Sequence, residues 1–469
     1  MAHQLRWILT LLVVAECSAQ VLLPYEQFDT DGIPPAVYRQ RRERLVSAHT
    51  ARSLILLLSA DVRNRQNDVD YEYRQNSNLL YLTGCTQPRC ALLLIPGGIE
   101  WEGKQTTELF FIEQRNPSSE VWTGVTMGPE EAERLLQLSP ALEYAMLRVV
   151  LDSLLPTRDT LYIASGLPTA SVPLPIIGGR LNVEQILRDS LQKRFPHVVI
   201  RSGLRTLAAM REVKDEHELR LLRKAIEITL DAFEQVLRNA KPGMHEYEIE
   251  ALMEYHFRRA GAEDVGYPSI VGSGYNSCIL HYQHNRRPTR AGDMVLADCG
   301  AEYHGYTADI TRTFPITGRF TPEQRTLYLL VLEAQDSAIA AAQVGAPFSA
   351  THRAAQAVIA RGLQQLGIIE SPADVRRYFP HGTSHYLGLD VHDAGTYGPL
   401  KAGTVITVEP GIYIPPGSPC DQRWWNIGIR IEDDILVTER GPVNLSARLP
   451  RHPDAIEQLM QAAADALRK

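Results

Sequence analysis

One segment constrains this 469-residue chain more than any other: residues 295–314, VLADCGAEYHGYTADITRTF. It reads as two strands of one hairpin. V-L-A is a short apolar strand ending in Asp298, Gly300 and Gly305 are turn signals, and TADITRTF alternates. Side chains alternate along a strand, so Asp309, Thr311 and Thr313 share one face while Ala308, Ile310 and Phe314 take the other. Asp298 and Asp309 then aim at one space from adjacent strands. Two such carboxylates repel unless something positive lies between them, and a divalent cation is the simplest candidate. Taken alone the pair proves little, because aspartate near strand ends is usually a turn former.

Three later segments add weight. HGTSHYLGLDVHD opens at His381 and carries His385 and His392. Glu409 ends the strand TVITVEPG, on the same face as Thr407. Arg430 and Glu432 stand two apart in GIRIEDDILV and so project to one side of a strand. Asp298, Asp309, His385, Glu409 and Glu432 together supply four carboxylates and one imidazole. Four negative charges balance two divalent cations. Oxygen-rich ligation suits Mn2+, with Co2+ or Zn2+ as alternatives, and disfavours a thiolate-type zinc site.

DCGAEYHGYTADITRTFP, HGTSHYLGLDVHD, VEPGIYI and GIRIEDD, in this order, resemble the metal-site segments of the pita-bread metallopeptidases, and within them the Xaa-Pro aminopeptidase (aminopeptidase P) family. IVGSGYNSCILHY, with His281, and QNSNLLYLTG extend the likeness, which runs from about residue 35 to 450. It implies an α+β chain: a C-terminal pita-bread (creatinase/aminopeptidase) domain preceded by an α/β creatinase-like N-terminal domain. It implies an enzyme that releases the N-terminal residue from peptides with proline in second position, and a homo-oligomer. Carried over residue by residue, Asp309 and Glu432 bridge two metals, Asp298 binds one, and His385 and Glu409 bind the other. The substrate amine lies near Asp298, which makes the enzyme an exopeptidase. A water between two such metals ionises near neutral pH and becomes the nucleophile. His281 and His392 match positions that hydrogen-bond the scissile carbonyl and its oxyanion. His381 lines the pocket beyond the scissile bond. Arg430 steadies the bridging carboxylate or faces the proline side, and Tyr413 is a further pocket candidate.

The proline preference rests on this likeness. An Xaa-Pro bond is a tertiary amide without N–H, so a ring-shaped pocket with no donor to satisfy selects for it. Three rivals stand beside the reading: a prolidase restricted to Xaa-Pro dipeptides, a metal-free creatine-type hydrolase, and a non-catalytic peptide-binding module. No HExxH zinc motif or G-x-S-x-G elbow occurs.

A net charge of -7 argues against nucleic-acid binding by electrostatics. Residues 1–19 read as a signal peptide: Arg6, the apolar run Trp7 to Ala15, then small residues at Ser18 and Ala19. Export to the periplasm or outside is the expectation. No later apolar run reaches the roughly 18 residues of a membrane span. Five cysteines follow the signal, of which Cys85 and Cys90 flank a turn and could pair, while Cys299 should point away from the metals.

Residues 20–205 form the expected α/β domain and 206–469 the catalytic domain. SLILLL, NLLYLTG, ALLLIPGG and ELFFIEQR read as strands, and PEEAERLLQL and LNVEQILRDSLQKRF as helices. Long amphipathic helices follow from Leu219, from His245, from the capping box at Thr321 and from Thr351, with a last one in the tail. His245 and His256 read as packed or solvated histidines.

Overall fold

The consecutive apolar residues of SLILLL and CALLLI suit strands buried on both faces, and they form the centre of a mixed sheet. The computed structural model describes residues 30–166, 172–174, 179–181 and 183–466; the expected signal segment lies outside the described residues. The sheet has six strands in the order Val199–Ser202, Thr160–Ile163, Ser53–Leu58, Cys90–Trp101, Lys104–Ile112, Ala141–Glu143. Ser53–Leu58 runs parallel to Thr160–Ile163 and antiparallel to Cys90–Trp101. Ile55, Leu57, Leu92 and Phe110 pack into one core, and Leu54, Leu56, Leu93 and Phe111 into another, so the alternation along each strand separates two buried layers.

NLLYLTG departs from expectation: it is not a strand but the helix Ser77–Thr83. Its ends decide this. The Asn76 side chain accepts hydrogen bonds from the backbone N–H of Asn78 and Leu79, and Gly84 closes the helix in the left-handed region at φ 69°. The thiols of Cys85 and Cys90, both buried, lie 3.8 Å apart and are not joined.

Helices Glu216–Asn239, Glu246–Arg259, Pro322–Ala341 and Ala350–Gln365 enclose small antiparallel sheets in the second half. Asp215 and Thr321 cap two of them with reciprocal capping boxes. Phe233, Phe257, Phe314 and Tyr328 belong to one continuous core between helices and strands, and Cys299 lies in it.

The 295–314 segment is more than the single hairpin expected. Met294–Cys299 pairs with Ile310–Pro315, placing Asp298 opposite Thr311. Beyond a break, Ala301–Tyr303 pairs with Tyr306–Thr307 in a different sheet. Gly300 makes the break: a Cβ there would lie 1.8 Å from the Ala308 carbonyl oxygen. Asp309 sits in the same break, released from ladder pairing and free to turn its carboxylate toward Asp298.

Candidate active site

Four of the five expected ligands lie at or just beyond a strand end, and His385 lies in the loop before Val405–Val408. Asp298 closes Met294–Cys299, Asp309 precedes Ile310–Pro315, and Glu409 follows Val405–Val408. Glu432 occupies the switch between Ile427–Arg430 and Asp433–Thr438, where its N–H donates to the Thr311 carbonyl at 3.1 Å. His385 is laced to the strand before Glu409: the Thr407 N–H donates to its carbonyl, and its own N–H donates to Thr407 Oγ1.

These segments bring the five side chains together. Ligand atoms of Asp309, His385 and Glu432 all lie within 4.8 Å of one another. His385 Nε2 is 3.3 Å from Asp309 Oδ2 and 3.5 Å from Glu409 Oε1. Asp298 joins through Tyr267, whose Oη is 2.6 Å from both Asp298 Oδ1 and Asp309 Oδ1. All five line one cavity of about 410 Å³, together with His281, His381, His392 and Arg430.

Two observations test whether cations fit. Glu432 Oε1 is buried and lacks any hydrogen-bond partner among the described residues. Tyr267 has one phenolic proton for two carboxylate oxygens at equal short distance, so one of them is left unserved. Among the described lining residues Arg430 is the sole guanidinium or ammonium, set against four carboxylates. Burial and the crowding of like charges push the Glu432 carboxyl well above its ordinary range and raise Asp309 also, while Glu409 reaches about 7. Burial pulls the His385 imidazole down, but the hydrogen bond and charge of Asp309 and the charge of Glu409 outweigh it and hold the ring at about 9. Oxygen ligands with one imidazole and surplus negative charge fit divalent cations.

The neighbours order this cluster. Arg430 pairs with Asp298 at 2.5 Å and reaches Glu432 only through Thr311. Its other nitrogens donate to Thr311 Oγ1 at 3.1 Å and Tyr413 Oη at 2.9 Å. The Thr311 hydroxyl donates to Glu432 Oε2 at 2.6 Å. Tyr413 Oη lies 2.8 Å from His381 Nε2, and His381 Nδ1 lies 2.6 Å from the Gly382 carbonyl. Nδ1 therefore carries the proton, and Nε2 accepts from the tyrosine. Burial and the Arg430 charge push His381 down to about 3, which keeps that tautomer neutral. His392 is exposed to the cavity, edge-on to His385 with ring centres 4.4 Å apart; burial and the His385 charge lower it. His281 also faces the cavity and is exposed.

Residues 220–439 match metallopeptidase family M24, and residues 38–162 match the aminopeptidase P N-terminal domain. The Xaa-Pro aminopeptidase of Escherichia coli is 37% identical over 439 residues, spanning 91% of this chain and 98% of its own. This chain belongs to the M24 metallopeptidases. Intermediate cleaving peptidase 55 of Arabidopsis thaliana mitochondria is 31% identical over 434 residues, covering 92% of this chain and 84% of that one. The Pseudomonas aeruginosa aminopeptidase PepP superposes with a TM-score of 0.83 at 34% identity, over 92% of this chain and 99% of that one. A zinc-substituted E. coli aminopeptidase P in complex with product gives 0.82 at 36% identity, over 92% and 99%. The fold is accordingly the M24 pita-bread domain behind an aminopeptidase P N-terminal domain.

Sequence reasoning missed Tyr267 and Thr311 as parts of this M24 site. Thr311 was legible on the Asp309 face, and nothing in GYPSI marked Tyr267. Its place depends on Ile270 standing opposite Asp298 across the sheet, a pairing of residues far apart in the chain.

Proposed function

We propose that this chain is a dinuclear metallo-aminopeptidase that releases the N-terminal residue from peptides with proline second. The observation that carries the reading is the convergence of Asp298, Asp309, His385, Glu409 and Glu432 in one cavity, with an orphaned carboxylate oxygen on Glu432. Mn2+ is the metal favoured by the oxygen-rich donors, and the zinc-substituted relative supports tolerance of Zn2+. Asp309 and Glu432 would be shared between two cations, with Asp298 on one and His385 and Glu409 on the other. Two divalent cations in this cluster would make a nucleophile of water near neutral pH and polarise the scissile carbonyl.

The remaining residues bind and orient. Asp298 is available to the substrate amine. His281 and His392 expose ring nitrogens to the cavity, where a donor stabilises the oxyanion formed from the scissile carbonyl. His381 and Arg430 form a wall interlocked through the buried Tyr413, and the neutral His381 ring meets the proline side without adding charge. A tertiary amide brings no N–H to this wall, so no acceptor is needed there.

The wall bears on the choice against a prolidase. A dipeptide enzyme must hold the product carboxylate, and Arg430, the sole guanidinium or ammonium among the described lining residues, commits three of its five N–H groups to Asp298, Thr311 and Tyr413. Metal-stripped protein given Mn(II) should release Xaa from Xaa-Pro-Yaa. Hydrolysis of Xaa-Pro with no action on the tripeptide would replace the aminopeptidase reading by the dipeptidase one. Failure on both, with cations bound, would favour a binding module.

Export after removal of residues 1–19 and assembly into a homo-oligomer complete the reading. The charged-then-apolar N-terminal run supports the first and the family likeness the second. N-terminal sequencing of the mature protein and its sedimentation mass test them.

A further inference from the structure

His281 is exposed, and among the described residues its ring has no hydrogen-bond partner, so its position must come from the loop that carries it. That loop, residues 273–287, closes on a single buried carboxylate. Glu246, at the start of the helix Glu246–Arg259, is fully buried. Its Oε1 accepts from the Ser273 N–H at 2.7 Å, the Ser273 hydroxyl at 2.7 Å and the Asn276 amide at 3.0 Å. Its Oε2 accepts from the Tyr282 hydroxyl at 2.9 Å and the Arg287 N–H at 2.9 Å. Every donor belongs to the loop. The return bond, Glu246 N–H to the Arg287 carbonyl at 3.0 Å, fastens the helix start to the loop's far end.

The loop reaches the cavity through packing at the same place. Leu280 and Tyr282, on either side of His281, pack against the cluster of Ile270, Leu296 and Tyr413, and the buried Tyr413 is bonded to the lining residues His381 and Arg430. Tyr282 is thus held at both ends: its ring by the cavity wall and its hydroxyl by Glu246. His281 is the residue between these two anchors.

We propose that Glu246 is a positioning residue for His281: by gathering five donors from the loop onto one carboxylate, it fixes the imidazole over the scissile carbonyl. The inference rests on the aminopeptidase reading for the role of His281, and on the geometry alone for the anchoring. Five donors on one desolvated carboxylate form a network whose loss is cooperative. An amide in its place presents N–H groups to backbone N–H donors that cannot accept, so Glu246→Gln should release the loop without emptying its space.

Two measurements on the full chain test this. In Glu246→Gln, kcat for Xaa-Pro-Yaa should fall about tenfold or more, with KM changed less than about threefold, because the lost contact belongs to the transition state. In the His281→Ala background the same substitution should cost less than about twofold, since residues acting through one group are not additive. Losses that multiply fully in the double variant would overturn the proposal. Hydrogen exchange supplies a readout that needs neither metal nor substrate: amides of 274–287 should exchange faster in Glu246→Gln while 405–408 and 433–438, which pair with each other, keep their protection. A rise shared equally by all three segments would mean a general structural role and would also overturn it. Should Glu246→Gln not fold, Tyr282→Phe removes one donor and should show both effects at reduced size. An inactive wild type would defeat the peptidase reading yet leave the exchange test standing.

Discussion

Two buried charged clusters lie close together in this chain and are built on opposite principles. In the cavity, Asp298, Asp309, Glu409 and Glu432 face, among the described lining residues, one guanidinium and four imidazoles, of which His385 is raised by Asp309 and Glu409 while His381 and His392 are lowered. Next to it, Asp393 meets Arg211 and Lys214, and Arg211 also reaches Asp390 at 2.7 Å and Asn78 at 2.7 Å. Burial raises Asp393 too, but the charges of Arg211 and Lys214 outweigh it and hold the carboxyl below its ordinary range. Burial also raises Glu432, and there the neighbouring carboxylates add to the rise. Equal burial with opposite outcome shows which cluster is complete. The matched one ties Ser77 and Asn78 of the first domain to the loop bearing His392, since Ser77 donates to Asp390 at 2.7 Å. The unmatched one carries a surplus of carboxylates, the composition that suits divalent cations.

The largest effect that could break this contrast is on turnover. Glu409→Ala removes a carboxylate held up by burial and by Asp309 and Asp298. Hydrolysis of Xaa-Pro-Yaa should fall by roughly a thousandfold or more, while the metal-free protein keeps or gains thermal stability, because like-charge repulsion is relieved. A drop in metal-free stability would mean that the cage is matched after all. Asp393→Ala should do the reverse. It strands Arg211 and Lys214 in the interior and should cost about 3–5 kcal/mol in urea unfolding. A loss under about 1 kcal/mol would place that network among weak surface pairs.

What the sequence made legible follows from how local each signal is. The four carboxylate ligands sit at strand ends, and period-two alternation within a few residues marks their faces: Thr311 and Asp309 do reach the same cluster, while Ile310 and Phe314 enter the core. SLILLL and ELFFI form strands because both faces are buried. Ser77–Thr83 was misread because seven residues are too few to show a helical period, and the decisive groups, Asn76 and Gly84, lie outside the apolar run. Arg430 could be assigned to a face but not to a partner. Its pairing with Asp298 depends on how separate small sheets meet. Tyr267 and Glu246 were invisible for the same reason, since each acts on groups brought near by the fold.

Acidity separates the clusters next. Glu409 at about 7 and His385 at about 9 both exceed the ordinary unfolded values of about 4.3 and 6.5. Both therefore hold more protons folded than unfolded. The stability they lend is full below the unfolded values and is lost as pH rises through about 7 and then about 9. The metal-free protein should lose Tm between about pH 5 and 9, and Mn(II) should oppose the loss by replacing those protons, raising Tm by about 5 °C or more at neutral pH. Asp393 is depressed, so its contribution is present above the unfolded value and disappears as pH falls through the folded one. A metal-free Tm independent of pH across the alkaline range would erase the distinction between the two clusters.

The smallest effect sharpens the contrast most, because it concerns one proton. Tyr267 sits where the cavity's carboxylates come closest, and burial together with the charges of Asp298 and Asp309 keeps its phenol protonated. Its single hydrogen can serve only one of the two oxygens, whereas Asp393 has a separate cationic donor for each of its oxygens. Tyr267→Phe leaves the ring and deletes that proton. If the phenol orients Asp298 and Asp309 for cations, metal affinity should weaken by about tenfold, read by titration of stripped protein with Mn(II). Activity at saturating Mn(II) should then recover most of its wild-type value, because the ligands themselves remain. Unchanged affinity would make Tyr267 a wall of the cavity only, and the deficit of donors around Asp298 and Asp309 would have to be met by the cations alone.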